Sequence, residues 1–402
     1  MLTRRATLLG GALAASYLPR GARAAETVGV TTSEIKIGNT IPYSGPNSSY
    51  GAIGRSEAAY FRMVNDQGGI AGRRINFISY DDGYSPPKTV EQVRRLVERD
   101  GVAFLFSTLG TPTNTAIVNY CNTHKVPQLF VSTGADKWGN YKDTPWTIGW
   151  IPSYRTEAQI YAKYILQQKP DAKIALLYQN DDFGKDYIHG TRDILRDKFD
   201  AMVHLASYEI TDATIDSQIT SLRDTGADVL VTAAGPKFAA QTIRRVYDLG
   251  WKPMHLMSYV SISVGSVIRP AGPEKAIGMI AATFTKDMTD RIWNDDPGIK
   301  DWRAFMAKYL PDADTTDNNY LFGWGVSHTM THVLTQCDDD FSRENIMRQA
   351  TNLKDVENPI LLPGIKINTS PTNYHPVRQM QLARWNGKNW ELFGDLIEGA
   401  GA

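Results

Sequence analysis

Residues 35–54, IKIGNTIPYSGPNSSYGAIG, constrain the fold more than any other segment, because they combine a strand, a loop and a helix start. Apolar residues alternate over residues 35–38, which predicts a short buried strand. Residues 42–51 predict a loop, and an apolar helical pattern follows. A helix that begins in this way favours an anion such as a carboxylate, and Tyr50 adds an aromatic hydroxyl there. The same pattern also fits an ordinary strand–helix loop.

The strand–loop–helix pattern recurs along the chain, and it pauses once, near residues 146–152. Strands alternating with helices predict parallel sheets with helices on both faces, so we expect two α/β units built on one plan. A final hairpin is expected to turn at Asn386 and Gly387. The predicted strands are residues 73–80, 102–106, 127–131, 173–178, 203–208, 229–233, 255–257 and 277–285, and residues 107–115 are predicted to form a polar loop.

The first residues predict an export signal that is not part of the fold. Arg4 and Arg5 precede an apolar run, and small residues end it, so we expect residues 1–24 to be a signal peptide cleaved near Ala24. The apolar run is too short to span a membrane. The start resembles a twin-arginine signal, but Thr7 stands where phenylalanine is usual, so the export route stays open.

Charge and cysteine content exclude some classes of protein. Without residues 1–24, the 43 basic residues fall to 39 against 43 acids, a net charge of −4. A mildly acidic chain without a cluster of lysine and arginine residues is not expected to bind nucleic acid or anionic membranes. No later apolar run is long enough to predict membrane insertion. Cys121 and Cys337 could pair in an oxidising compartment. Their predicted helices are far apart in sequence, which favours two unpaired buried thiols.

Five segments carry a resemblance to a known family: IKIGNTIPYSGPNSSYG, VNDQGGIAGRRINFISYDD, STLGTPTNTA, VPQLFVSTGA and IALLYQNDDFGKDY. With the export signal, they resemble the type I periplasmic solute-binding proteins of ABC transporters, in the branched-chain amino acid receptor group. The resemblance implies an α/β fold of two doubly wound parallel-sheet lobes joined by three hinge crossings, which close on a ligand. Lobe one would comprise residues 26–148 and 284–361, and lobe two residues 149–283 and 362–402.

The resemblance also implies ligand-binding positions near the carboxyl ends of the strands. In lobe one a first-loop aromatic residue touches ligand, and hydroxyl and backbone groups bind a carboxylate. The matching residues are Tyr50, Thr111, Thr113, Ser132, Thr133 and Gly134. In lobe two, aromatic and apolar residues close over the ligand. The matching residues are Tyr154, Phe183, Gly235 and Val260.

One departure from the family pattern concerns the ligand. Amino acid receptors of this group place an acid in lobe two to pair with the α-ammonium group, but the matching residues 257–263, MSYVSIS, contain none. An ammonium group closed in without a counter-charge would cost about 3–5 kcal/mol. We therefore expect an aromatic or aliphatic carboxylate without an α-amino group. Alternatively, Asp181 or Asp182 replaces the missing acid, and the chain binds branched-chain or other amino acids.

Other motifs do not indicate an enzyme. The chain has no nucleophile elbow, zinc-protease motif or phosphate-binding loop, so neither catalysis nor a cofactor is expected. His328 and His332 have metal-ligand spacing on a predicted helix, but no third ligand follows, and no metal is expected. The expected partners are a small carboxylate and an inner-membrane ABC permease, and the expected form is a periplasmic monomer. Because such a fold also serves sensors, delivery to a sensor is a further alternative.

Overall fold

A computed structural model describes residues 27–399 of the 402-residue chain. The predicted signal peptide lies outside the described residues and stays a prediction. The strands are β1 (Glu34–Ile41), β2 (Arg74–Asp81), β3 (Phe104–Phe106), β4 (Gln128–Val131), β5 (Thr147–Gly149), β6 (Ile174–Gln179), β7 (Val203–Tyr208), β8 (Val229–Ala233), β9 (Met254–Met257), β10 (Ile280–Thr283), β11 (Gln379–Trp385) and β12 (Trp390–Glu398). The α-helices are α1 (Gly51–Asp66), α2 (Pro86–Arg94), α3 (Thr111–Thr123), α4 (Tyr154–Gln168), α5 (Asp182–Leu195), α6 (Phe199–Met202), α7 (Asp216–Asp224), α8 (Pro236–Asp248), α9 (Arg269–Ala271), α10 (Pro297–Tyr309), α11 (Asn318–Gln336) and α12 (Arg343–Ala350).

The first sheet is parallel throughout, with the order β2-β1-β3-β4-β5. Its central strand β3 is buried on both faces, as parallel strands usually are. Phe106 packs towards α1, with its ring centroid 5.7 Å from that of Phe61. Leu105 belongs to a separate cluster with residues of α2 and α3, because successive side chains of a strand point to opposite faces. Helices therefore cover both faces of this sheet.

The second sheet has the order β12-β11-β10-β9-β8-β6-β7. Strands β6 to β10 are parallel, while β11 runs antiparallel to β10, and β12 antiparallel to β11. The antiparallel pair is the predicted terminal hairpin. Its edge strand β12 is mostly half-buried or exposed, whereas β8 is buried along its whole length. The two parallel-dominated sheets confirm the predicted fold class.

The chain passes between the two sheets three times: after β5, after β10, and between α12 and β11. Helices α10 to α12 return to the first sheet, where α11 packs along α1. The Arg343 guanidinium of α12 also donates to the carbonyls of Ala103 and Val102, at 2.7 and 3.0 Å. We call the first sheet with α1–α3 and α10–α12 the first lobe, and the second sheet with α4–α9 the second lobe. The residue boundaries assigned from sequence stay predictions.

Several elements differ from the sequence prediction. Residues 107–115 were expected to form a loop, but α3 begins at Thr111, because Pro112 suits the first turn of a helix. Strand β5 falls where the pattern was expected to pause, and β10 is shorter than residues 277–285. Cys121 and Cys337 are buried and unpaired, as predicted. No helix within residues 27–399 has both the length and the apolar character that a membrane span requires.

Candidate ligand-binding site

A cavity lies where the two lobes meet, beside the carboxyl ends of strands from both sheets. It encloses about 610 Å³ of space outside atoms, part of it open to solvent. The first lobe contributes Tyr50, Ile53, Tyr84, Leu109, Gly110, Ser132, Asn318, Asn319 and Phe322. The second lobe and the first passage between the lobes contribute Ile151, Tyr154, Gln179, Phe183, Gly235, Tyr259 and Val260. The position is the one expected for a ligand in open α/β sheets.

The structure brings six of the ten predicted site residues together in the cavity wall. These are Tyr50, Ser132, Tyr154, Phe183, Gly235 and Val260. The other four are not among the lining residues: Thr111, Thr113, Thr133 and Gly134. Since the structure contains no ligand, the binding role of all ten residues stays a prediction.

The four residues outside the wall already have partners within the protein. The hydroxyls of Thr111 and Thr133 lie 2.5 Å apart and bond each other. The Thr113 hydroxyl donates to the carbonyls of Leu109 and Gly110, as hydroxyls in the first turn of a helix often do. The Gly134 carbonyl accepts a bond from the Tyr154 backbone N–H at 2.7 Å. Their polar groups therefore bond other parts of the protein around the wall. The sequence pattern alone does not distinguish this supporting role from contact with a ligand.

Aromatic rings form much of the wall. Six lining residues are aromatic: Tyr50, Tyr84, Tyr154, Phe183, Tyr259 and Phe322. The rings of Tyr154 and Phe183 pack with centroids 4.5 Å apart, and the rings of Tyr154 and Tyr187 are stacked behind them. Burial raises the pKa of Tyr50 well above its usual value, so its phenol is neutral and donates hydrogen bonds. Such walls suit a ligand with an apolar or aromatic body.

The two lobes touch each other around the cavity. The Tyr50 hydroxyl donates to the Val260 carbonyl across the cleft at 3.1 Å. At the rim, the Lys137 ammonium lies 2.7 Å from the Asp182 carboxylate. A Cβ atom on Gly235 would lie only 2.9 Å from Oδ1 of Asn47, so a larger residue would obstruct this contact. The structure therefore shows the lobes in a closed arrangement.

Ser132 and Gly110 lie at the first-lobe end of the cavity. Ser132 lines the wall, and α3 begins beside it without a side-chain cap, although Pro112 has no N–H and neither Thr111 nor Thr113 is a lining residue. Gly110 precedes α3 with φ 99°, and a Cβ atom there would lie 2.5 Å from the Tyr84 ring. Only glycine fits this close approach. An uncapped helix start beside a hydroxyl suits an anionic group.

No lining residue of this cavity is an acid, a base or a histidine. Two acids, the buried Glu157 and the half-buried Asp181, lie behind the wall and already accept hydrogen bonds. Glu157 accepts from the Tyr161 hydroxyl and the Tyr259 N–H, both at 2.8 Å. Asp181 accepts from the Gln179 amide at 2.6 Å and from the start of α5. Burial raises the pKa of Glu157 to about 7 and the pKa of Asp181 to about 6, so near neutral pH Glu157 is only partly ionised, whereas Asp181 is largely ionised.

Sequence reasoning did not identify ten of the lining residues as site residues. Tyr84 and Gln179 lie at or just after the ends of β2 and β6, so the rule that ligands sit at the carboxyl ends of strands points to both. Asn318, Asn319 and Phe322 belong to α11, which returns to the first lobe from a distant part of the chain. No local signal in the sequence marks them as neighbours of the cavity.

Comparisons with known proteins identify the family and the fold of the chain. A family model described as periplasmic binding protein matches residues 34–389. A relative named Leu/Ile/Val-binding protein homolog 7, from Brucella suis biovar 1 (strain 1330), is 23% identical over 311 residues, or 72% of this chain and 75% of the relative.

Two solved structures have the same fold. One is described as a branched chain amino acid ABC transporter from Thermus thermophilus with bound valine (TM-score 0.81, 17% identity, 92% of this chain and 98% of that chain). The other is a fatty acid ABC transporter substrate-binding protein from Thermomonospora curvata (TM-score 0.77, 20% identity, 93% and 94%). The chain belongs to the periplasmic binding protein family and has the type I fold that its sequence resembles.

Proposed function

We propose that this chain is the periplasmic solute-binding component of an ABC importer and captures a small carboxylate without an α-amino group. The observation that carries the proposal is the cavity wall, which combines aromatic rings with hydroxyl and amide groups and contains no charged side chain. An aromatic acid or an aliphatic acid matches such a wall. The proposal treats the chain as a binding protein and not as an enzyme.

The energetics favour an anion over a zwitterion. Closing an ammonium group into the cavity without a counter-charge would cost about 3–5 kcal/mol, on the order of a hundred- to a thousand-fold or more in affinity. A carboxylate needs only donors, and each hydrogen bond to a charged group contributes about 1.5–3 kcal/mol. Ser132 is the hydroxyl-bearing residue of the first-lobe wall near the start of α3, so the anionic end of the ligand would lie against the first lobe.

The mechanism of capture is hinge closure. In an open form, the ligand would dock by its carboxylate on the first lobe, and the second lobe would then bring Phe183 and Val260 over the apolar end. The bond from Tyr50 to Val260 forms only when the lobes meet. The closed shape is the form that an inner-membrane permease would recognise. Delivery to a sensor instead of a permease requires the same closure.

A second candidate ligand is a branched-chain or other amino acid. The observation in its favour is the pair of acids behind the wall, Glu157 and Asp181, which a ligand's ammonium group could reach after a small side-chain change. The related structures differ in the ligands that their names give, since one is described with bound valine and another as a fatty acid transporter component.

A thermal-shift panel separates the two ligands. It contains benzoate, 4-hydroxybenzoate, cinnamate and hexanoate, together with leucine, valine and phenylalanine. A ligand at about 100 times its Kd stabilises the protein by about 2.7 kcal/mol, a shift of a few degrees. Shifts with the acids and none with the amino acids support the proposal. A shift with valine and none with the acids refutes it.

Matched variants locate a counter-charge if amino acids bind. Asp181→Asn retains the cap of α5, because asparagine caps a helix start as well as aspartate does. Glu157→Gln similarly preserves the shape of that side chain. If either variant abolishes a valine shift, that residue pairs with the ammonium group. For a carboxylate ligand, both variants should bind as tightly as the wild type.

A further inference from the structure

Glu57 is a buried acid beneath the floor of the cavity. It follows Tyr50 by seven residues and Ile53 by four in α1, so it lies on the same helix face as these two lining residues, one turn deeper. The Glu57 side chain is 0% exposed, and neither carboxyl oxygen has a hydrogen-bond partner of ordinary geometry among the described residues. Buried carboxyl groups normally have such partners, so this one requires an explanation.

Two serine hydroxyls connect Glu57 to the cavity. The Ser107 hydroxyl is close enough to the carboxyl to act on its pKa. The Oγ atoms of Ser107 and Ser132 lie 2.6 Å apart, and Ser132 lines the cavity. Ser107 has φ 53°, a conformation that is uncommon for a residue other than glycine. The Asn39 amide holds it there by donating to its carbonyl at 3.1 Å.

The surroundings of Glu57 disfavour a carboxylate. Burial raises its pKa well above the usual value, and the Ser107 hydroxyl opposes this effect only in part. The titratable groups around it do not neutralise a negative charge. Tyr43, after β1, has a pKa raised to about 12, chiefly by burial. On α1 the Arg55 guanidinium instead faces the Tyr320 hydroxyl of α11 at 3.4 Å.

We propose that protonated Glu57 is a positioning residue that orients the Ser132 hydroxyl towards the ligand carboxylate. Glu57 would donate to Ser107, Ser107 to Ser132, and Ser132 to the ligand. An ionised carboxylate can only accept, so loss of the proton reverses every bond in this chain. Ser132 would then present its lone pairs to the ligand. This inference rests on the proposed carboxylate function.

The consequence is a coupling between carboxylate binding and the proton on Glu57. Because coupling is reciprocal, a ligand that requires the protonated form loses affinity as pH rises through the pKa of Glu57. Buried glutamates with pKa values of about 8–9 are documented. We therefore expect the Kd for benzoate to rise by up to about tenfold per pH unit on the alkaline side of that pKa. Glu57→Gln, whose amide always donates, should bind benzoate with a flat profile.

The first test is independent of any ligand. The infrared spectrum of the full-length protein at neutral pH should contain the C=O stretching band of a protonated carboxyl that Glu57→Gln removes. Glu157→Gln assigns the contribution of the other buried glutamate. If Glu57→Gln folds but leaves the spectrum unchanged, Glu57 is ionised and the inference is overturned.

The second test is calorimetric titration with benzoate from about pH 6 to about pH 9, a range that reaches the documented values for buried glutamates. Ser107→Ala breaks the relay without changing Glu57. We expect it to weaken binding about tenfold at neutral pH, with a flat profile. If the wild type binds benzoate with the same pH profile as Glu57→Gln, the proposed role of Glu57 is overturned, while the proposed carboxylate function stands. No benzoate binding by the wild type at any pH, with the infrared band present, counts against the proposed carboxylate function.

Discussion

The bond between Tyr50 and Val260 links the lobes directly, so Tyr50→Phe tests closure with the loss of one oxygen atom. The hydroxyl donates to the Val260 carbonyl at 3.1 Å, and Tyr50 is buried while Val260 is half-buried. A hydrogen bond of this kind contributes about 0.5–1.5 kcal/mol net. Removing it from the closed form alone should shift the closure equilibrium by about 1 kcal/mol, or about fivefold.

Affinity should report this shift. If the ligand-free protein is mainly open, the Kd for benzoate rises by the same factor of about five, because the apparent Kd depends on the cost of reaching the closed form. On the same condition, the unfolding temperature without ligand should change little, since the open form lacks this bond. Titration calorimetry measures the first quantity, and differential scanning calorimetry measures the second.

Tyr374→Phe is the matched control. Tyr374 is also buried and also donates to a backbone carbonyl, that of Pro145 at 3.2 Å, but it does not line the cavity. This variant should lower the free energy of unfolding by about 1 kcal/mol and leave the Kd unchanged. An unchanged Kd in Tyr50→Phe, or an equal change in both variants, would falsify the assignment of this bond to closure.

Three further predictions concern single side chains. Ser132→Ala should weaken benzoate binding by about tenfold or more, because a hydrogen bond to a charged group is lost, and should lower the free energy of unfolding by about 1 kcal/mol, because the bond to the Ser107 hydroxyl is also lost; equal affinity in the two proteins would show that the carboxylate does not bind at Ser132. Burial lowers the pKa of His255 from 6.5 to about 4. The unfolded chain therefore binds a proton more readily, and stability falls as pH drops from about 6.5 to about 4, by up to about 3 kcal/mol. His255→Gln should lack this part of the acid loss in urea titrations, and an identical pH profile would contradict the assignment. Burial raises the pKa of Cys121 and of Cys337 to about 12, so a disulfide reagent should label neither thiol in the folded protein and both in denaturant; rapid labelling of the native protein would show that these sites open.

The accuracy of the predicted strand bounds does not follow burial, because the half-exposed β7 has its predicted bounds, whereas the buried β10 is shorter than predicted. Strands β6 and β8 are short apolar runs between polar loops, and both lie within one residue of their predicted bounds. Strand β5 has only three residues and therefore carries too little periodicity to be recognised. The start of α3 was read as loop because threonine and proline are common in both loops and first helical turns.

The site was harder to predict because its wall depends on which way side chains point. Thr111 and Ser132 have the same hydroxyl chemistry, yet one bonds a neighbouring threonine and the other reaches the cavity. That difference arises from local backbone geometry, which no residue pattern specifies. Glu57 was missed for a related reason. An acid in an amphipathic helix is usually exposed, and only the packing of α11 against α1 shows that this one is enclosed.

The return of α11 and α12 to the first lobe has a consequence for how the chain acquires its structure. The segment that pairs β1 to β5 is complete by Gly149, but the helix covering α1 ends only at Gln336. A nascent chain therefore has to leave the side of α1 that α11 covers open until most of its length has been made. Contacts between such distant residues form slowly, and the open apolar face is prone to aggregation in the meantime. A chain of this design profits from a holding chaperone, and a fragment that stops before α11 should not fold.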